Sequence, residues 1–149
     1  MTLNKPSCED DVLLPMGWNK GNPDQSRLFS LEGLELHLIP GAMFSTVSDA
    51  VGTLRESTYR QQLSGSGNKR DLDGRDPFYD HLLLVETNSE TLAGAARLQF
   101  IPKATAAADL PNGQQSYLEH VYPGIKSLLT GQDHHLEIGR VALAQRFQR

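Results

Sequence analysis

DLDGRDPFYDHLLLV, residues 71–85, sets four carboxylates (Asp71, Asp73, Asp76, Asp80) and then His81 directly against the most strand-like run in the chain. A solvated charge run usually tails into further polar sequence, whereas this one feeds Leu82, Leu83, Leu84 and Val85, which must be buried. The acids are therefore held against a sheet.

Downstream, residues 81–86 read as a strand that turns through Asn88 and Ser89 into a second strand over 91–101, a hairpin. The alternation puts Leu92, Gly94, Ala96, Leu98 and Phe100 on one face of that second strand, and Ala93, Ala95, Arg97 and Gln99 on the other. An arginine among alanines in a strand centre needs a partner, because an unpaired buried charge is costly. Residues 102–114 form a loop containing Pro, Ala, Gly and Asn, followed by two short helices within 116–131, interrupted at Pro123 and Gly124. A last strand covers 134–143. Glu137 and Arg140 are three apart in it and face opposite sides unless a bulge at Gly139 brings them to one surface.

Upstream, residues 28–39 alternate Leu34, Leu36 and Leu38 against Glu35 and His37, which predicts a first half-exposed strand with His37 on its polar side. Pro40 and Gly41 break it, and Ser45 or Thr46 caps a helix running to about residue 63. Arg55 and Tyr59 share one side of this helix, while Glu56 and Arg60 can pair on another. SGSGN, residues 64–68, reads as a hinge or flexible tip. Residues 1–28, punctuated by Pro6, Pro15, Gly17, Gly21 and Pro23, read as a loosely ordered arm that Trp18 and residues 12–14 can dock onto a domain over 29–149.

Composition sets the outer bounds. A chain of 149 residues with 38% apolar content suits one domain. A formal charge of −4 argues against a nucleic-acid partner, which calls for a concentrated basic face. Cys8, the single cysteine, cannot form an intramolecular disulfide, and no stretch has the length of a membrane span or a signal segment, so the expected location is cytoplasmic. There is no internal repeat and no CxxC or HExxH spacing.

The acidic stretch fails as a calcium loop, because the glycine falls at the fourth place and Arg75 and Asp76 take the fifth and sixth. A magnesium or zinc site built with His81 is a further alternative, and a purely structural one makes the acids caps of turns, a role that suits Asp71 and Asp80. Asp73 and Asp76 stand out because Arg97, Glu137 and Arg140 follow in neighbouring strands. Acids and arginines alternating around one cleft would fix each other's orientation and could bind an amine or amino-acid substrate.

Taken in order, Arg55 with Tyr59, D-x-D-x-x-D-x-x-x-D-H-L-L over 71–83, G-A-A-R-L over 94–98, Y-L-E-H over 117–120 and E-I-G-R over 137–140 resemble the N-acyltransferase branch of the GNAT superfamily. That branch includes the ornithine acyl-ACP N-acyltransferases, the exosortase-associated acyltransferases and the acyl-homoserine-lactone synthases. The resemblance covers about residues 45–149. It implies an α/β (α+β) fold: a mixed, mostly antiparallel sheet flanked by helices, splayed to admit a thioester donor. It further implies acyl transfer from acyl-ACP or acyl-CoA, as co-substrate, to a small amine, with no resident cofactor and no metal. By similarity, Glu137 is the first candidate for the general base and Asp73 the second, while Arg55, Tyr59, Asp76, Arg97 and Arg140 line the substrate cleft.

Three departures accompany the resemblance. Tyr59 stands where Phe is common, Ala95 and Ala96 precede Arg97 where bulkier residues are usual, and the chain stops just after E-I-G-R, where the branch continues into donor-binding elements. The expectation is an N-terminal portion of such a domain, with an open strand edge that favours pairing in a homo-oligomer. The alternative from another class is a noncatalytic GNAT-like module that binds a carrier protein or lipid.

Overall fold

The computed structural model describes residues 11–18, 26–62, 64–102, 109–110, 114–115, 117–125 and 134–148. Its centre is a five-stranded sheet of order β1-β2-β3-β4-β7, formed by β1 (Arg27–Leu31), β2 (Leu34–Ile39), β3 (Asp80–Glu86), β4 (Thr91–Pro102) and β7 (His134–Leu143). Every one of these neighbouring pairs is antiparallel. A helix, α1 (Ser48–Gln61), packs across β4 and β7. Two-residue strands β5 (Asp109–Leu110) and β6 (Gln114–Gln115) make a separate small ladder, and α2 (Tyr117–Val121) follows it. The architecture is the α+β, antiparallel-sheet fold that the sequence leads one to expect.

Residues 28–39, read above as one strand, are two. Glu32 and Gly33 both adopt positive φ, 48° and 85°, and Leu31 pairs directly with Leu34, so the chain folds back through a two-residue turn. Two consecutive residues with positive φ match the right-handed twist of the flanking strands. His37 is correspondingly not exposed. It is 2% accessible, meets the edge of Trp18 at 4.9 Å, and bonds Ser26 Oγ and Glu35 Oε2 through its two ring nitrogens.

The core lies between α1 and one sheet face, where Ala50, Val51 and Leu54 meet Leu83, Val85, Leu92, Ala95 and Ala142. Leu92 belongs here although simple alternation assigns it elsewhere. Val85 pairs with Leu92 while Leu84 pairs with Gly94, so a bulge at Ala93 shifts the alternation by one. Residues 11–18 lie against the same core. Leu13 bridges Thr91, Leu92 donates its N–H to Val12 O, and Leu14 and Trp18 are buried. The opposite sheet face bears half-buried Leu34, Leu36, Leu38, Leu82, Leu84 and Leu98, with Phe100, Leu136 and Ile138 exposed.

α1 starts later than the sequence suggests. A 3₁₀ segment occupies Gly41–Thr46, and the helix begins at Ser48 behind Val47, which supplies no side-chain cap. The SGSGN stretch, expected to be a hinge, is fastened. Glu56 Oε2 accepts both the N–H and the hydroxyl of Ser66, and its Oε1 accepts Gly67 N–H. These bonds, led by the Ser66 hydroxyl, hold the Glu56 carboxyl down at about 2.

Candidate active site

The stretch from Asp71 to Tyr79 runs beneath α1 and is fixed to it at its start. Asp71 donates its N–H to Gly52 O at 2.9 Å, and a side chain at Gly52 would meet Leu72 at 2.9 Å, so the approach depends on glycine. The stretch then folds on its own acids. Asp73 N–H donates to Asp76 Oδ2 at 2.9 Å and Arg75 N–H donates to Asp73 Oδ1 at 2.8 Å, after which a 3₁₀ turn at Asp76–Phe78 leads into β3.

This local fold spaces the carboxylates to meet arginines from three elements. Arg55 from α1 donates to Asp76 Oδ1 at 2.8 Å, and Arg97 from β4 reaches the same oxygen at 3.2 Å. Arg97 also donates to both oxygens of Asp73 at 2.9 Å. Arg140 from β7 continues to Asp73 Oδ2 at 3.0 Å and to Asp71 Oδ2. The result is an alternating chain, Arg55, Asp76, Arg97, Asp73, Arg140, Asp71. Its inner end is dry, with Arg55 at 0% and Arg97 and Asp76 at 1% accessibility, and its outer end, Arg140, is partly open. Such burial is tolerable only because each charge has an opposite neighbour.

Arg140 can join the chain because β7 bulges. Ala95 pairs with Ala142 but Arg97 with Gly139, so Ala96 faces both Arg140 and Val141, and Arg140 takes φ 52°. The anticipated bulge is present, with its left-handed residue one place after Gly139. It brings Arg140 to the surface that Glu137 occupies.

Asp71, read as a cap, is thus a member of the ion chain, whereas Asp80 does act structurally by accepting Gly41 N–H at 3.1 Å. His81 belongs to the buried packing beneath the acidic stretch. It is fully buried, stacks on Phe44 at 4.0 Å and bonds Asp76 O through Nε2, and burial drives its pKa down to about 4. Among the described residues no group of three or more His, Cys, Asp or Glu side chains could hold a metal, since the arginines occupy the carboxylate oxygens of the acidic stretch. Burial raises the pKa of Asp73, but the charge of Arg97 and the N–H of Arg75 outweigh it and leave the carboxyl below its ordinary value. Tyr59 lies beside the chain and reaches Val141 O at 3.4 Å, and burial raises its phenol pKa.

Glu137 stands apart from the ion chain. It is 8% accessible and bonds no arginine among the described residues. Its Oε1 accepts the phenol of Tyr79 at 3.0 Å, and its Oε2 has no hydrogen-bond partner among the described residues. Gln99, its cross-strand partner on β4, also buries an unpartnered Oε1. Tyr79 and Gln99 are the residues that sequence reasoning missed. Gln99 was readable from its place two residues after Arg97, but nothing in the pattern marks Tyr79, whose role arises from a contact across 58 positions.

A family model described as "Acetyltransferase (GNAT) domain" matches residues 54–149, more than half of the chain. The chain belongs to this family. The match contains every arginine and carboxylate of the chain above, together with Tyr79, Gln99 and Glu137. Searches of curated proteins and of solved structures gave no match. Membership of the GNAT family makes acyl transfer the activity class and implies binding of an acyl thioester. No helix among the described residues is long and apolar enough to cross a membrane.

Proposed function

We propose that this GNAT domain is an N-acyltransferase of the branch that holds the ornithine acyl-ACP N-acyltransferases, the exosortase-associated acyltransferases and the acyl-homoserine-lactone synthases. It moves an acyl group from acyl-ACP or acyl-CoA to an amine or amino-acid acceptor in the cytoplasm. The observation that carries this reading is the buried Oε2 of Glu137, which has no hydrogen-bond partner among the described residues. Three arginines face three aspartates in the ion chain, and Glu137 has no cationic partner among the described residues. A buried carboxylate in that condition favours a cationic ligand, and a primary ammonium group supplies both the charge and the donor.

The chemistry follows from that contact. The ammonium group loses one proton to solvent before attack, and Glu137 Oε2 removes a second as the nitrogen bonds to the thioester carbonyl carbon. The carbon–sulfur bond then breaks, and the departing thiolate takes up the proton held by Glu137, which restores the carboxylate. Asp73, the other candidate base, has its oxygens engaged by Arg97, Arg140 and Arg75 N–H, so we assign the base role to Glu137 and a scaffolding role to Asp73. Arg55, Arg97 and Asp76 are too deeply buried to touch a substrate, and they set the position of the others. Arg140 has the exposure to receive an acceptor carboxylate. The only co-substrate in this scheme is the thioester itself.

Incubating the protein with palmitoyl-ACP or palmitoyl-CoA and a panel of amines that includes ornithine, with mass-spectrometric detection of the amide, tests the proposal. Amide formation that Glu137→Gln abolishes supports it. Binding of acyl-ACP without turnover on any amine sinks it.

A further inference from the structure

Tyr79 is the last residue before β3, is 1% accessible and touches three other elements. Its hydroxyl donates to Glu137 Oε1 on β7 at 3.0 Å and accepts the backbone N–H of Tyr117, the first residue of α2, at 2.9 Å. Its ring lies 4.4 Å from the Arg97 guanidinium, which also sits 5.7 Å from the Tyr117 ring. The hydrogen-bond directions are forced. An amide N–H can only donate, so the phenol oxygen accepts from Tyr117 and its single proton must go to Glu137.

We propose that Tyr79 is a positioning residue for acyl transfer, locking Glu137 with Oε1 occupied so that Oε2 alone is presented to the acceptor nitrogen. The proposal rests on the reading of Glu137 as the base. With Oε1 committed as an acceptor, only Oε2 can take the substrate proton. The Tyr117 N–H keeps the phenol from turning away, which makes the seating of α2 a condition for a correctly aimed base. Burial and the neighbouring Glu137 charge push the phenol up to about 12, against the pull of the Tyr117 N–H, so Tyr79 stays protonated and remains a donor across the working pH range. The charged groups around the junction are Arg97 from β4 and, further along the ion chain, Asp73 and Arg140. None of them hydrogen-bonds Glu137 among the described residues, which leaves Tyr79 as its orienting contact.

Tyr79→Phe removes the donor and keeps the ring. The carboxyl carbons of ¹³C-glutamate-labelled protein are recorded by NMR at one neutral pH in the wild type and in Tyr79→Phe, with Glu137→Gln identifying the resonance. Loss of the phenol hydrogen bond to Oε1 changes the chemical shift of the Glu137 resonance. In amide formation from palmitoyl-CoA, kcat falls at least tenfold while KM for the amine changes little. A Glu137 resonance that stays put in a folded Tyr79→Phe protein overturns the contact. A resonance that moves while kcat does not fall overturns the positioning role. If the wild type forms no amide, the base assignment fails, and the NMR shift alone still decides whether Tyr79 orders Glu137.

Discussion

Replacing Asp76 by Asn probes the inner end of the ion chain at nearly constant shape. Asp76 is 1% accessible and receives Arg55 at 2.8 Å, Arg97 at 3.2 Å and the N–H of Asp73 at 2.9 Å. Arg97 keeps its two bonds to Asp73 in the variant, but Arg55, at 0% accessibility, loses its anion. Removing one member of a buried pair costs about 3 to 5 kcal/mol because the other charge is left uncompensated. Against a total of about 5 to 15 kcal/mol for a natural domain this is a large fraction. With a urea slope of about 2 kcal/mol per M, the unfolding midpoint falls by about 2 M. The assay is equilibrium urea unfolding followed by tryptophan fluorescence, which reports on Trp18 in its buried position. Adding Arg55→Met to Asp76→Asn removes the stranded charge, so the double variant recovers at least half of the lost midpoint. A single-variant shift below about 0.5 M, or a double variant as weak as the sum of its parts, would refute the account of the chain as mutually compensating charges.

Three further outcomes follow from other parts of the molecule. Glu137→Gln lowers kcat for amide formation by about 10² to 10⁴-fold with the urea midpoint kept, the range expected when a general base is lost, and unchanged turnover removes Glu137 from that role. The Glu56 anchor of residues 64–68 titrates in acid. Because the folded carboxyl is held at about 2, below the ordinary glutamate value of 4.5, the stabilisation is complete above 4.5 and disappears as pH falls through about 2. Amide exchange at Ser66 and Gly67 therefore becomes unprotected below that point, and Glu56→Gln shows the loss at neutral pH. Gly41→Ala drives a methyl to 2.6 Å from the backbone oxygens of both Pro77 and Tyr79. It destabilises by about 1 to 3 kcal/mol, read as a lower thermal midpoint, since neither carbonyl is the free end of a side chain.

Periodicity recorded what neighbours in sequence decide. The β3 and β4 hairpin, the strand at 134–143 and the body of α1 are legible from the spacing of their apolar residues alone, although bulges break the alternation within β4 and β7. The turn at Glu32 and Gly33 escaped because a backbone of two positive φ values is signalled far more strongly by Asn-Gly than by Glu-Gly. The bulge at Ala93 escaped because nothing local distinguishes Leu92 from its strand-mates, and only pairing with Val85 turns it toward α1. Ser66 looked free because its acceptor, Glu56, lies ten residues back on the helix.

For residues 71–85, the sequence by itself determined that carboxylates are held against a sheet and that arginines in later strands must answer them, since charge so close to buried leucines cannot stand unpaired. It also ordered the residues well enough to show the family resemblance. Which carboxylate pairs with which arginine, and which one meets no arginine among the described residues, was decided only by the tertiary structure. The register of β4 and β7, with a bulge at Arg140, puts Asp71 into the ion chain and leaves Glu137 Oε2 without a hydrogen-bond partner among the described residues. Pairing is a property of distances between strands, and a linear pattern does not contain them.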